Sequence, residues 1–259
     1  MTSKELKKLH KEIGDSIHAM NTIAVGLSIM PDKDVKIPEG LRISWQPKNI
    51  PFSKMISRSY AEKSAIVYAT ENLYEYLKNI SINPLWNYPG VVFDNGDGKA
   101  NNVFKFLSSV PQMENYVAIL TEFLCHWRNK IVHLNSNAKL DKKKIKVLIL
   151  KKGYIYDNLH HFGVEEALDN FNNSKITLKD SSTLITVALK SCEMVDEYFL
   201  QGISQIENID KIISIFKNDV SFRKIYNSSP SPRRTSKVKM WILTNYPYFD
   251  DARLDLLCA

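Results

Sequence analysis

Glycine, proline and cysteine are all scarce in this chain: its 259 residues include nine glycines, ten prolines and three cysteines. So little glycine and proline excludes collagen-like and low-complexity chains, and 10% aromatic residues argue against disorder. Cys125, Cys192 and Cys258 are odd in number and far apart. This pattern argues against a disulfide framework or a cysteine-rich zinc site. The composition is typical of a globular protein.

Long apolar runs are also missing. The nearest, residues 19–30, is shorter than the roughly 18 residues of a membrane span and contains polar side chains. Glu5, Glu12 and Asp15 precede it, which is unlike a signal peptide. We therefore expect a cytoplasmic protein with no membrane association.

The chain has no phosphate-binding loop, no dinucleotide-binding glycine fingerprint, no nucleophile elbow and no H-E-x-x-H motif. The commonest kinds of nucleotide hydrolase, redox enzyme and zinc peptidase, which carry these motifs, are therefore excluded. We expect neither a metal nor a cofactor.

Helical periodicity dominates what is present. Apolar residues recur every three or four positions, which predicts helices over residues 3–30, 57–80, 111–133, 181–200 and 203–216. Residues 31–53 hold several prolines and predict an irregular connection with one short strand at 41–45. A serine- and proline-rich segment after Asn227 predicts a flexible linker, followed by an aromatic stretch that docks back. The pattern indicates a mostly helical protein.

The third of these helices separates its apolar and polar side chains most clearly. Its apolar stripe consists of Met113, Val117, Leu120, Leu124, Trp127 and Ile131. On a helix that turns about 100° per residue, Glu122, His126, Asn129 and His133 point the opposite way. Arg128 lies about 60° from the apolar stripe, so its stem can pack while its guanidinium reaches outward.

We call Glu122, His126, Asn129 and His133 the polar file of this helix, and two interpretations of it remain open. It is either a solvent-exposed helix face or a surface that binds and cleaves a phosphodiester. Histidine moves protons near neutral pH, and arginine holds phosphate and stabilises developing charge. Arg128 and His133 lie about 140° apart around an ideal helix. They converge only if the helix ends or bends there, or if they pair across a dimer.

Residues 128–133, R-N-K-I-V-H, resemble the R-x-x-x-x-H motif of HEPN-domain proteins, including the polar residue after the arginine. The resemblance covers about residues 55–202. It implies an all-α, up-and-down helical bundle, with an N-terminal helix and proline-containing connection (1–54) and a C-terminal helix and aromatic tail (203–259) as extensions.

The resemblance also implies a function. Many members are metal-independent endoribonucleases of toxin–antitoxin, phage-defence and CRISPR-associated systems, and they act as homodimers in which two motifs face one cleft. Arg128 and His133 would be catalytic, with Asn129 in support and His126 and Glu122 as possible helpers. The partners implied are RNA, a second copy of the chain and an antitoxin or other regulatory protein. Some members carry a tyrosine that an antitoxin modifies two positions after the histidine, where this chain has an asparagine.

The net charge of +7 is unevenly distributed, with seven lysines and one acid between Lys139 and Lys152. This segment is either a solvated helix face or a surface that follows an RNA backbone. The candidate RNA-binding residues are Lys142, Lys143, Lys144 and Lys146.

Two other functions remain open. A non-catalytic helical module would bind nucleic acid or a protein partner and use the polar file only for dimerisation. A purely structural helical protein would neither bind nor cleave RNA.

Overall fold

The computed structural model describes residues 2–88, 91–94, 96, 98–133 and 135–258. Within these ranges all regular secondary structure is helical, which confirms the all-α prediction. The twelve helices described there are α1 (Lys4–Ile29), α2 (Ile50–Ser81), α3 (Lys99–Ser108), α4 (Asn115–Val132), α5 (Lys142–Leu150), α6 (Lys152–Asn158), α7 (Val164–Asn172), α8 (Leu178–Ser204), α9 (Ile209–Phe216), α10 (Val220–Tyr226), α11 (Pro232–Asn245) and α12 (Asp251–Cys258). None of the described helices combines the length and apolarity that a membrane crossing requires.

The chain divides into two compact units. The first comprises Met1–His10, Leu73–Ala118 and Leu189–Ala259, and the second comprises Lys11–Asn72 and Ile119–Ala188. Helices α1, α2, α4 and α8 contribute residues to both units.

The first unit holds the start of α1 against the later halves of α2 and α8. The backbone N–H of Ser3 donates to the Asp196 carboxylate at 3.0 Å, and the Tyr76 hydroxyl donates to the carbonyl of Cys192 at 2.9 Å. Burial raises the pKa of Asp196, while its hydrogen bonds from Ser3 act in the opposite direction. The C-terminal helices enclose an aromatic cluster around Phe216, whose ring lies 5.4 Å from that of Phe222.

The second unit contains the motif. Phe123 and Trp127 of α4 each lie 5.0 Å, between ring centroids, from Phe171 of α7. All three rings are buried, as is most of the apolar stripe of α4, which faces the core as its periodicity predicts. This packing leaves the last turn of α4 at the surface, with His133 exposed.

Several local predictions are wrong for identifiable reasons. Residues 41–45 form no strand, since neither Leu41 nor Ile43 has a neighbouring strand to pair with in the described ranges and both remain exposed. The second helix begins at Ile50 because proline is tolerated in a first helical turn. The predicted linker contains the start of α11, whose N-cap Ser231 accepts a hydrogen bond from the Arg234 N–H. The aromatic residues beyond it do dock back, since Tyr248 and Phe249 are buried.

Candidate functional site

Asn129 lies in the last turn of α4, Arg128 directly precedes that turn, and His133 is the first residue after the helix. The His133 N–H still donates to the carbonyl of Asn129 at 3.0 Å, so the backbone completes one more turn before it leaves the helical path. The helix end therefore brings the His133 side chain back towards Arg128. The Nη1 atom of Arg128 lies 3.3 Å from Nε2 of His133. The two residues converge within one chain despite their separation around an ideal helix.

A carboxylate on another helix fixes the orientation of Arg128. Glu71 of α2 accepts hydrogen bonds from Nε of Arg128 at 2.7 Å and pairs with Nη2 at 2.6 Å, both through Oε1. The third nitrogen, Nη1, donates to Oδ1 of Asn129 at 3.3 Å. Glu71 thus occupies one edge of the guanidinium, and Nη1 is directed towards Asn129 and His133. The Arg128 side chain is 20% exposed, so its charge remains accessible from solvent.

The Arg128–His133 contact defines the tautomer of the histidine. A guanidinium has donors and no acceptor, so Nε2 of His133 must accept this hydrogen bond and the ring proton must lie on Nδ1. Nε2 therefore carries its lone pair on the side of the positive charge. The hydrogen bond from Arg128 occupies that lone pair, so Nε2 can accept a proton from another group only after this hydrogen bond is exchanged.

Glu122 and His126 belong to a separate polar cluster. Lys144 of α5 donates to both oxygens of Glu122, at 2.8 and 2.6 Å, and Nε2 of His126 lies 3.5 Å from Oε1 of Glu122. Glu122 is buried and the His126 side chain is 14% exposed. Helix α5 therefore covers this part of the polar file, which does not form one continuous exposed face. Nδ1 of His126 is buried and has no hydrogen-bond partner among the residues that the structure describes.

The four candidate RNA-binding lysines fall into two groups. Lys142, Lys143 and Lys146 are exposed on α5. The ammonium of Lys144 is engaged by Glu122 and its side chain is only 14% exposed. Three of the four lysines are therefore open to a polyanion, while Lys144 joins α5 to α4.

Lys130, inside the motif, holds the end of α4 against α7. Its ammonium donates to the carbonyl of Phe171 at 2.5 Å and lies 4.2 Å from the centroid of that residue's ring. Burial lowers the pKa of Lys130. The middle of the motif therefore serves packing, while its two ends form the candidate site.

Glu71 is the member of the site that the sequence analysis missed. It lies 57 residues before Arg128 and belongs to no local motif. In the described ranges, no group of three or more histidine, cysteine or acidic side chains lies close enough to hold a metal ion. No family model matches the chain, and neither a curated protein nor a solved structure matches it.

Proposed function

We propose that this chain is a metal-independent endoribonuclease of the HEPN type, with Arg128 and His133 as its catalytic residues and Asn129 in support. The observation that carries the proposal is the 3.3 Å contact between Nη1 of Arg128 and Nε2 of His133. This contact places the permanent positive charge of Arg128 beside the exposed imidazole of His133. These two residues are the ones that match the R-x-x-x-x-H motif of the family. Glu71 acts as a positioning residue because it directs Nη1 towards the histidine.

The reaction proposed is an internal transfer at phosphorus. Nη1 of Arg128 exchanges its hydrogen bond to His133 for one to a non-bridging oxygen of the scissile phosphate and stabilises the charge that develops on it. This exchange frees the lone pair on Nε2 of His133, which accepts the proton of the adjacent 2′-hydroxyl, and the hydroxyl oxygen forms a bond to phosphorus. The bond from phosphorus to the 5′-oxygen breaks, and that oxygen takes up a proton from water. The products are a 2′,3′-cyclic phosphate and a 5′-hydroxyl end.

The wider setting of the proposal is a cytoplasmic homodimer that acts as a toxin or phage-defence effector under the control of a regulatory protein. Lys142, Lys143 and Lys146 would follow the RNA backbone, since their ammonium groups are exposed on the helix that packs against α4.

One observation favours the alternative of a non-catalytic helical module. The guanidinium of Arg128 is held by Glu71 at 2.6 Å, as in an ion pair whose role is to join two helices. In that case the module binds RNA or a protein partner and Arg128 contributes only to folding.

A substrate with one altered sugar separates these functions. A short RNA is compared with the same strand carrying a 2′-deoxynucleotide at the mapped cleavage position. The wild-type protein should cleave only the all-ribose strand there, and the product should end in a cyclic phosphate. Arg128→Ala and His133→Ala should each lose at least about a hundredfold in rate.

The matched controls are Arg42→Ala and His18→Ala, which remove exposed side chains of the same types elsewhere in the second unit. Both should cleave at the wild-type rate. Binding of the RNA without cleavage, unchanged in Arg128→Ala, would support the non-catalytic module instead.

A further inference from the structure

The exposed aromatic residues are confined to one unit. The second unit has ten aromatic residues, and five of them are exposed. The first unit has seventeen, and none of them is exposed. The exposed rings are those of Phe52, Tyr60, Tyr68, Tyr154 and Tyr156. A protein gains nothing in folding from leaving a large ring in water, so the concentration of exposed rings in the unit that holds Arg128 points to binding.

Two of these rings share a face of α2 with Glu71. Tyr60, Ser64 and Tyr68 follow one another at intervals of four residues, and Glu71 lies three residues beyond Tyr68, within about 60° of the same direction. The stripe is about 16 Å long from Tyr60 to Glu71. It therefore begins about three helical turns away and ends at the carboxylate that holds Arg128.

The surroundings of the two rings keep them available. Tyr60 is 73% exposed and Tyr68 is 44% exposed. The hydroxyl of Tyr68 donates to the carboxylate of Glu12 on α1, which restrains the ring at the surface. Ser64 between them is small and exposed, so about 12 Å of open helix surface separates the two rings.

Tyrosine rings arranged in this way suit unpaired nucleobases. Each base has a π-face, and stacking on an aromatic side chain needs no particular sequence. Bases inside a duplex already stack on their neighbours, so only an unpaired strand can use such rings. The net charge of +7 supplies the general attraction for a polyanion.

We propose that Tyr60 and Tyr68 form a stacking platform for unpaired bases of an RNA strand whose phosphate lies at Arg128. The inference deepens the proposed function and rests on it, because it makes single-stranded RNA the substrate and assigns two base-binding residues. The bases next to the scissile phosphate stack on Tyr68, and those further along the strand reach Tyr60.

The test measures binding in the His133→Ala background, so that the RNA stays intact. The probes are a fluorescein-labelled 12-nucleotide single strand, the same strand with abasic positions, and a hairpin duplex. The single strand should bind most tightly. Tyr60→Leu and Tyr68→Leu should each weaken its binding about fivefold or more, and the abasic strand should bind equally to all three proteins.

Two variants separate stacking from other effects. Tyr68→Phe keeps the ring but loses the hydrogen bond to Glu12, and it should bind the single strand within about twofold of its parent. Tyr156→Leu removes a tyrosine of similar exposure on α6 and should leave binding unchanged. Melting curves of each variant establish that it is folded.

Three results would overturn the platform. The first is that both leucine variants bind the single strand as tightly as their parent, and the second is that the parent binds the abasic and intact strands equally. The third is that sedimentation shows a different oligomeric state for the leucine variants than for their parent. The last would assign the stripe to a protein interface. Cleavage by the wild-type protein is measured separately. Cleavage without base-dependent binding overturns the platform alone, whereas base-dependent binding without cleavage overturns the proposed function.

Discussion

At the scale of single residues, the orientation of Arg128 depends on a partner outside its own helix. Glu71 engages Nε and Nη2 of the guanidinium through one oxygen, which leaves Nη1 to Asn129 and His133. An arginine with five donors can bind phosphate in several ways. In the proposed site, the ion pair favours the one in which the phosphate lies beside the histidine.

Removing this partner should reduce turnover more than binding. We expect Glu71→Ala to lower kcat by about ten- to hundredfold with a smaller change in KM, because a misdirected guanidinium still attracts RNA. Glu71→Gln keeps an acceptor oxygen and should retain more activity. Steady-state cleavage kinetics measure both. Glu75→Ala removes a surface acid one turn further along α2, and a loss in that variant equal to that of Glu71→Ala would contradict the positioning role.

Glu62 provides a residue-scale prediction about stability. It is buried, and burial raises its pKa, although its hydrogen bond from Arg58 acts in the opposite direction. Above the ordinary pKa of 4.5 the unfolded chain releases this proton while the folded chain keeps it. The free energy of unfolding therefore falls as the pH rises from there through the raised pKa.

Glu62→Gln should remove that contribution, so its stability should decline less than that of the wild type between pH 4.5 and 8. Urea denaturation at several pH values measures the difference. Glu39→Gln, at an exposed position, serves as the control and should follow the wild-type profile. Parallel profiles for Glu62→Gln and wild type would show that Glu62 has the same pKa in both states.

At the scale of helices, close packing limits which residues the elements accept. A Cβ atom at Gly202 of α8 would lie 2.7 Å from Cε2 of Tyr88. That ring has little room to retreat, since it stacks on Tyr198 at 3.7 Å between centroids and donates its hydroxyl proton to the Tyr198 carbonyl at 2.8 Å. Glycine at this position permits the stacked pair of tyrosines.

Gly202→Ala should therefore destabilise the protein by roughly 1–3 kcal/mol. Gly153→Ala, where a Cβ would meet nothing within 4 Å, should be neutral or stabilise α6 by up to about 1 kcal/mol. Chemical denaturation of both variants gives the comparison. Equal stability of the two alanine variants would mean that Tyr88 can move aside at no cost.

Periodicity predicts the long helices because the apolar repeat involves residues that are close together in the sequence. The helix predicted over residues 111–133 is observed at Asn115–Val132, and the middle of its apolar stripe is buried. The sequence alone does not decide whether Arg128 contacts His133, since this contact depends on where that helix ends. The burial of Glu122 depends on the packing of α5 against α4, and that packing is set by tertiary contacts.

The short helices were harder to predict for the same reason. Helices α5 and α6 have only nine and seven residues, and a single apolar repeat over such lengths does not separate a helix from a loop. Glu71 lies on a helix that was predicted, but its pairing with a residue 57 positions away leaves no signal in one sequence.

At the scale of the whole molecule, the excess of positive charge should appear in the salt dependence of RNA binding. Each lysine that neutralises a phosphate releases a counterion, which steepens the decline of affinity with salt. We expect the triple variant of Lys142, Lys143 and Lys146 to alanine to bind more weakly and to reduce the logarithmic salt slope by about two to three.

A triple alanine variant of Lys105, Lys224 and Lys237 removes the same charge from exposed positions of the first unit. It should keep the wild-type slope to within about one. Titrations of labelled RNA between low and moderate salt measure both variants. Equal slopes in the wild type and the α5 variant would exclude these lysines from the RNA path.

We propose, before all else, that Arg128 and His133 form a ribonuclease site that needs no metal. The most direct measurement is cleavage of total RNA in the presence of EDTA by the wild-type protein and by His133→Ala, purified identically. We expect cleavage by the wild type and a rate at least about a hundredfold lower for the variant. Equal cleavage by both proteins, or cleavage by neither, would contradict it.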